Sequence, residues 1–480
     1  MPQSAWVHAP RSAGHLRLRL EPRSVDLAWL YPLVPVLGLR ARTAGSLQKL
    51  QTRQGATMLR RFFSRPVQRP VVQQHRLQLE RLDDRCLPSA DLTAMSYNLY
   101  QGSELTPAIT APSPAALLPA ASAIEAELAA TDVPARAQAW ANEVAEANPD
   151  VLALQEASLW RIQTPSSTLA GNPTPATTVL YDFIGTLIDD LAAKGHYYTV
   201  VGTANGFDAQ EPDLAGNDIR LTDRVAILAR ADEPAGQLRW SNVQSAQYQT
   251  NPTIQVGGPS GFPFTIYNGW VSVDFTKRGE TFRVITTHLD SSVPALNVAQ
   301  AHELLAGPAN TNLPVILMGD LNTPADDSGS AAQHELIAAG FQDAWVETHP
   351  SDPGYTSMPS VPFVNLTNPT FNAAQRIDYI LTRGGFNADE MSLEGNIAEN
   401  KTPPAAGAPT GLWPSDHSAV VATLDLPSHR EGKEYETDKG SRQLTDEDVA
   451  ALVQLGDLHR HGPSFWDSNP YWSAIEPEGS

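Results

Sequence analysis

The 480-residue sequence predicts an α/β fold built on mixed sheets. Three observations lead there. Short apolar runs bounded by turn residues recur between Leu92 and Leu424, as buried strands do. Some follow one another directly and others are separated by amphipathic helical stretches, which favours a mixed sheet system over a purely parallel one. Polar residues also gather where the runs end. The most compact case is Gly319-Asp320-Leu321-Asn322, which places an acid and an amide two residues apart just beyond the apolar run Leu313 to Met318.

Taken in order, Leu92 to Tyr97 reads as a strand ending at Asn98, and the Ala/Pro-rich stretch Ala111 to Ala121 as a loop. Ala135 to Ala147 reads as a helix that stops before Pro149, with Trp140 and Val144 on one face. Val151 to Gln155 is a strand and Gln163 to Thr177 a surface loop. Val179 to Ala193 reads as a helix, since Phe183, Leu187 and Leu191 recur every fourth residue. Strands are expected at Tyr197 to Gly202, Arg224 to Ala229, Trp270 to Phe275 and Phe282 to Thr287, then a helix at Ala295 to Leu305. After the Asp320 turn come a helix around His334 to Ala339, a long loop through Asn372, and strands at Ile377 to Thr382 and Val420 to Leu424.

Charge divides the chain. Residues 1–85 hold 15 Lys and Arg against 5 Asp and Glu, a net +10, so the remaining 395 residues carry −30 of the total −20. An acidic body repels polyanions unless cations intervene, which argues against tight metal-free nucleic-acid binding and suits a protein that recruits divalent cations. The single cysteine, Cys86, excludes an internal disulfide and a cysteine-based zinc site. Leu27 to Leu39 is short and broken by Pro32 and Pro35, whereas spanning a membrane takes ~20 residues, so no transmembrane segment is expected.

Residues 1–90 are expected to be a basic, disordered extension, with an export-type segment near 58–89. Met58 is an alternative start there. Leu79-Glu80-Arg81-Leu82-Asp83-Asp84-Arg85-Cys86-Leu87-Pro88-Ser89 resembles a short segment found near the start of many exported bacterial proteins; the alternative is an ordinary amphipathic turn. An exported protein is expected, extracellular, periplasmic or at the cell surface. Residues 91–427 form the expected catalytic domain, and residues 428–480 an acidic tail with 11 acidic and 5 basic residues.

Seven polar positions recur at or near strand ends: Asn98, Gln155-Glu156, Asp223, His288, Asp320 with Asn322, Asp378, and Ser415-Asp416-His417. Each alone has a dull explanation, such as a helix-start charge or an edge histidine. Together they suit phosphoester hydrolysis. A phosphate needs a hard cation on its oxygens, and magnesium takes carboxylate and carbonyl oxygens while keeping several waters. Glu156 and Asp416 can supply carboxylates and Asn98 a carbonyl oxygen. Histidine moves protons near neutral pH, and a carboxylate on its other nitrogen fixes the tautomer. Asn322 can donate to the developing charge.

In this order the residues resemble the endonuclease/exonuclease/phosphatase superfamily, the deoxyribonuclease I-like fold. The matching pieces are Ser96-Tyr97-Asn98-Leu99, Leu154-Gln155-Glu156, Thr287-His288, Gly319-Asp320-Leu321-Asn322, Arg376-Ile377-Asp378-Tyr379 and Ser415-Asp416-His417, over about residues 91–427. The resemblance implies a four-layer sandwich, two packed mixed β-sheets flanked by helices, with the site at one edge. It implies Glu156 as the main Mg2+ ligand (Mn2+ or Ca2+ being alternatives), with Asn98 and Asp416 at the metal or its waters. Asp320 would orient or activate the water and Asn322 would bind phosphate. His417, oriented by Asp378, would be the general base or a phosphate contact. Asp223 and His288 stand where the deoxyribonuclease branch has a second acid–histidine pair, but with Asp in place of the longer Glu.

Asn98-Leu99-Tyr100 with Gly102 and Leu105, and Gly411-Leu412-Trp413-Pro414-Ser415-Asp416-His417, look like those of a bacterial subgroup with no settled substrate. Ala374-Gln375-Arg376-Ile377-Asp378 replaces the Trp-Cys-Asp-Arg segment of inositol-polyphosphate 5-phosphatases, which lowers that reading. The expected activity is a phosphodiesterase or nuclease. A secreted phospholipid or sphingomyelin-type diesterase and a phosphomonoesterase are alternatives, and a non-catalytic surface-binding protein is one of another class. The expected partner is a phosphoester substrate, a nucleic acid or a phospholipid head group, met by a monomer.

Overall fold

Alternation of buried residues along the central strands dictates how the layers stack. In β1 (Asp91–Asn98), Leu92 and Ala94 face one core while Met95 and Tyr97 face another. Strands buried on both faces need cover on both sides, by a second sheet or by helices. Here each sheet has one face on the other sheet and the other face on helices. The structure is a computed structural model, and it describes residues 91–232, 238–326, 328–359, 362–405 and 407–427. The basic extension, its export-type segment and the acidic tail lie outside the described residues.

After β1 come α1 (Thr106–Ile109), α2 (Pro114–Ala130), α3 (Val133–Ala147), β2 (Val151–Gln155), β3 (Leu159–Gln163), β4 (Thr178–Asp182) and α4 (Phe183–Ala193). Next are β5 (Tyr198–Pro212), β6 (Asp218–Arg230), β7 (Leu238–Gln247), β8 (Thr253–Val256), β9 (Phe262–Thr265), β10 (Gly269–Lys277) and β11 (Glu280–His288). The chain continues through α5 (Pro294–Ala306), β12 (Val315–Asp320), α6 (Ala332–Ala338), β13 (Gln342–Asp343), α7 (Ala344–Thr348) and α8 (Pro362–Thr367). It closes with β14 (Asp378–Arg383), β15 (Asn387–Glu394) and β16 (Ala419–Asp425).

The first sheet runs β15-β16-β1-β2-β6-β3-β4, with β5 also paired to β6, and the second runs β13-β14-β12-β11-β10-β7. Both are mixed: β1 and β2 are parallel, as are β11 and β12, among antiparallel neighbours. The inter-sheet core joins Leu92, Val151 and Ile227 of the first sheet to Val273, Phe282 and Ile316 of the second. Helices α3 and α4 cover the outer face of the first sheet through Trp140, Val144, Phe183 and Leu187. Helices α5 and α6 cover the second through Ala301, Leu304 and Leu336. The four-layer sandwich is therefore the observed architecture.

Four local expectations change. Residues 114–121 are the first half of α2, not loop: Pro114 sits in the first turn, where its missing N–H costs nothing, and the alanines that follow are strong helix formers. Residues 178–182 are strand, because Trp160 and Tyr181 pair across β3 and β4 and this ladder overrides the helical spacing. Asp223 does not open a strand. It lies inside β6, between residues 218–222, which pair with β3, and residues 226–229, which pair with β2. The long loop before Asn372 contains α7 and α8.

One buried carboxyl is at odds with its surroundings. Glu143 of α3 is 1% exposed, and neither of its oxygens has a hydrogen-bond partner. Burial pushes its carboxyl up to about 8, partly opposed by the nearby Tyr97 hydroxyl. A carboxyl raised in the folded state stabilises fully below its unfolded pKa and loses that contribution as pH climbs through the folded one. Glu143→Gln should therefore flatten the fall in stability between about pH 4.5 and 8, with a gain on the order of a few kcal/mol at pH 8. Urea unfolding across that range checks it; a parallel pH profile in both proteins would contradict it.

Candidate active site

Sheet register brings the polar strand ends to one edge. In the first sheet Asn98 lies opposite Gln155 across the parallel β1–β2 pair, and Glu156 follows directly. In the second, His288 lies opposite Asp320, and Asp320 opposite Asp378. Strand β16 is antiparallel to β1, with Ser96 opposite Val420, so residues 415–417 enter at the Asn98 end. Gly319 permits the close approach of β11 and β12 there: a Cβ would lie 2.1 Å from the Thr287 carbonyl oxygen.

Asn98 joins the two sheets. Its Nδ2 donates to Glu156 Oε1 at 3.0 Å and to Asp320 Oδ2 at 3.0 Å. Its Oδ1 accepts the Tyr100 N–H at 3.0 Å, which uses one lone pair and leaves the other for the metal or water that the sequence reading assigned to it. Toward the carboxylates, Asn98 stands as a donor. Glu156 adopts φ 49°, a left-handed conformation costing roughly 1–2 kcal/mol, and its second oxygen accepts the Gln101 N–H at 2.6 Å. Asn322 is likewise left-handed, at φ 47°. Its N–H donates to Asp320 Oδ1 at 2.9 Å and its side-chain amide to the Leu289 carbonyl at 2.9 Å, which leaves one amide hydrogen for a ligand.

Beside this corner, His417 Nδ1 lies 2.8 Å from Asp378 Oδ2. The Thr356 hydroxyl donates to the same carboxylate oxygen at 2.6 Å, and Ser357 Oγ is 3.3 Å from His417 Nε2. Ligand atoms of Asp320, Asp378 and His417 all lie within 4.8 Å of one another, a composition that metal sites share. The Nδ1 nitrogen is already engaged by Asp378, so the trio is better suited to holding and orienting a proton. Burial works against a charged His417, but the charge and hydrogen bond of Asp378, with the charges of Asp416 and Asp320, raise its pKa well above the ordinary value.

The second acid–histidine pair is placed differently. Asp223 and His288 line the same cavity, yet Asp223 Oδ1 and His288 Nδ1 both lack a hydrogen-bond partner. Asp is one methylene shorter than the Glu of the deoxyribonuclease branch, and no direct pair forms. His288 turns its Nε2 toward Asp320 Oδ2, at 3.6 Å.

The carboxylates suit a divalent cation. Asp416 is pushed up to about 6, first by burial and also by the Glu156 charge, although His417 opposes the shift. Asp223 is likewise pushed up to about 6 by burial and by Glu156, against the pull of His288. Among the described residues, no Lys or Arg forms an ion pair with Glu156, Asp320, Asp378 or Asp416. A hard cation with oxygen ligands would relieve this crowding, with Glu156 and Asp416 as its carboxylate donors.

Arg136 escapes the sequence reading. It is fully buried in α3, where its guanidinium donates to the Pro414 carbonyl at 2.8 Å, to the Tyr100 carbonyl at 3.0 Å and to the Leu99 carbonyl. It therefore ties the loop after Asn98 to the loop before Asp416. The Trp140 indole donates to the same Pro414 carbonyl at 2.8 Å. Trp413 anchors the second loop from the other side, stacked edge-on to Phe371 at 5.3 Å, with its N–H 2.9 Å from the Asn368 carbonyl. A lone arginine on the apolar side of an alanine-rich helix was the available signal. Thr356 and Ser357 carried none, because only the fold brings them to His417.

The sequence model described as "Endonuclease/Exonuclease/phosphatase family" matches residues 95–417, more than half of the chain. A comparison with curated proteins finds no significant match. Among solved structures, the Bacteroides thetaiotaomicron mannosyl-6-phosphatase Bt3783 is 17% identical, with a TM-score of 0.43, over 69% of this chain and 99% of that one. An endonuclease/exonuclease/phosphatase family protein from Leptotrichia buccalis is 16% identical, with a TM-score of 0.43, over 70% of this chain and 100% of that one. The D. rerio TDP2 complexed with single strand DNA product is 15% identical, with a TM-score of 0.41, over 70% and 100%.

Arg136→Met should fill the same space but strand the two buried carbonyls of Leu99 and Tyr100, at roughly 1–3 kcal/mol each, while Trp140 keeps that of Pro414 paired. Urea unfolding should show the loss, and the divalent-cation concentration needed for half-maximal activity should rise. Unchanged cation dependence would mean that Arg136 supports the fold alone.

Proposed function

This chain belongs to the endonuclease/exonuclease/phosphatase family, and we propose that it is a magnesium-dependent phosphodiesterase. One observation carries the reading. The Asn98 amide bridges Glu156 and Asp320 at 3.0 Å each, beside the Asp378–His417 pair at 2.8 Å, so cation ligand, water-orienting acid and oriented histidine share one corner. Glu156 and Asp416 would hold the cation, which supplies neutralisation of the phosphate oxygens; Mn2+ or Ca2+ would fit the same oxygen donors.

The chain's own residues divide the remaining work. Asp320 orients the attacking water and takes its proton as the new P–O bond forms. Asn322 donates its free amide hydrogen to a phosphate oxygen, and it points there because the Leu289 carbonyl holds its other hydrogen. His417, kept in one orientation by Asp378 and Thr356, binds the phosphate and stabilises the charge that builds on its oxygens in the transition state. The P–O bond to the leaving group breaks with its electron pair on oxygen. His288, whose Nδ1 is unengaged, is the group placed to protonate that oxygen.

Two substitutions test these roles with bis-p-nitrophenyl phosphate as substrate. Glu156→Gln should cut turnover by about 10²-fold or more, even in saturating magnesium; near-normal turnover there would sink the metal role. His417→Ala should lower kcat by about 10²-fold or more while KM moves only a few-fold. A change confined to KM would contradict its part in the chemical step.

A further inference from the structure

The candidate site opens into a cavity of ≈ 480 Å³, within the usual range for small-molecule pockets. One end is the polar corner, with Glu156, Asn322 and His417 in its wall. The other end is apolar, walled by Ile109, Ile124, Phe207, Leu221, Ile254 and Phe264. Strands β8 and β9 form a two-stranded hairpin over it, and Val256 of that hairpin packs on Leu117 of α2 in a small separate core. Phe207 of β5 and Phe264 of the hairpin meet edge to face at 6.5 Å. The roof is thus held by its own packing, and the apolar limb runs directly into the polar corner.

Charge narrows the occupant further. No Lys or Arg is among the residues lining the cavity, while Glu104, Asp208 and Glu211 stand along the apolar limb. Asp208 pairs with Arg220 at 2.5 Å and lies 3.9 Å from Arg161, so Glu104 and Glu211 are the acids here with no Lys or Arg ion-pair partner among the described residues. A nucleic-acid strand would carry further phosphates past these acids with no Lys or Arg in the cavity wall to meet them, whereas strand-binding grooves are positively charged. A hydrocarbon chain gains from the same walls, at ~0.8 kcal/mol per buried methylene.

Building on the phosphodiesterase reading, we propose that the apolar limb binds a hydrocarbon chain of the substrate. The substrate is then an amphiphilic, lipid-type phosphoester whose phosphate sits at Glu156, Asn322 and His417, with its chain beneath the β8–β9 hairpin.

The test uses n-alkylphosphonates, each with one anionic head and one chain, as inhibitors of bis-p-nitrophenyl phosphate hydrolysis by the full chain with magnesium. All are kept below their micelle concentrations. Octylphosphonate should inhibit at least about tenfold more tightly than methylphosphonate, and Ile254→Ser with Phe264→Ser should shrink that ratio below threefold. Equal inhibition by both phosphonates, or tighter inhibition by a short single-stranded DNA, would overturn the proposal and leave the phosphodiesterase reading standing. If the diester is not hydrolysed with any divalent cation, that reading fails instead. Calorimetry of the two phosphonates then still tests the limb, where equal affinities overturn it and a tenfold difference supports it. The wild-type ratio decides even if the double variant does not fold.

Discussion

Asn98 donates from one amide nitrogen to Glu156 in its own sheet and to Asp320 in the other. Asn98 and Asp320 are almost fully buried, and the three groups stand where the two sheets come closest to a common edge. Without a donor between them, two carboxylates at this spacing would repel in a poorly solvated setting. The amide therefore sets the distance between the expected cation ligand and the expected water-orienting acid. A second bond reinforces the same seam: the Gln155 amide donates to Thr286 Oγ1 at 3.0 Å, also from sheet to sheet. Packing of the inter-sheet core fixes how far apart the layers lie, and these polar bonds fix how their ends align.

Local strain gathers around that seam. Tyr100, Glu156 and Asn322 are all non-glycine residues with left-handed backbone, and all flank the site. Such conformations persist only where the surroundings over-determine them. Here Asn98 and Gln101 hold Glu156, Asp320 and Leu289 hold Asn322, and Arg136 holds the Tyr100 carbonyl. Each strained residue turns its side chain at a strand end where an extended backbone would have carried it past the corner.

Charge follows the same division as packing. Acids crowd the corner, Arg136 is the buried cation behind it, and the cavity beyond has apolar walls with acids at the rim. Burial pushes Arg136 down to about 10, against the pull of the charges around it, so it stays cationic while it serves carbonyl oxygens of two loops. The Asp416 and Glu156 charges lie close enough to favour its charged form. The support behind the site is thus electrostatic as well as geometric.

The order of short motifs, from Asn98 through Glu156, His288 and Asp320 to His417, determined the family and the layered architecture, because strand ends with polar residues are a local signal. Composition determined that no cysteine pair or cysteine-based zinc site is available. Local patterning failed where long-range pairing won: it misread residues 178–182, whose ladder with β3 outweighs a helical repeat, and it placed Asp223 at a strand start although two partner strands extend β6 through it. Only the tertiary structure decided that the Asn98 amide bridges Glu156 and Asp320, that Asp223 and His288 stand apart, and that Arg136, Thr356 and Ser357 support the site. Those outcomes depend on distances between segments tens to hundreds of residues apart, which sheet register sets and no local pattern encodes. The apolar cavity has the same origin, since its walls come from α1, α2, β5, β6 and a hairpin inserted before β10.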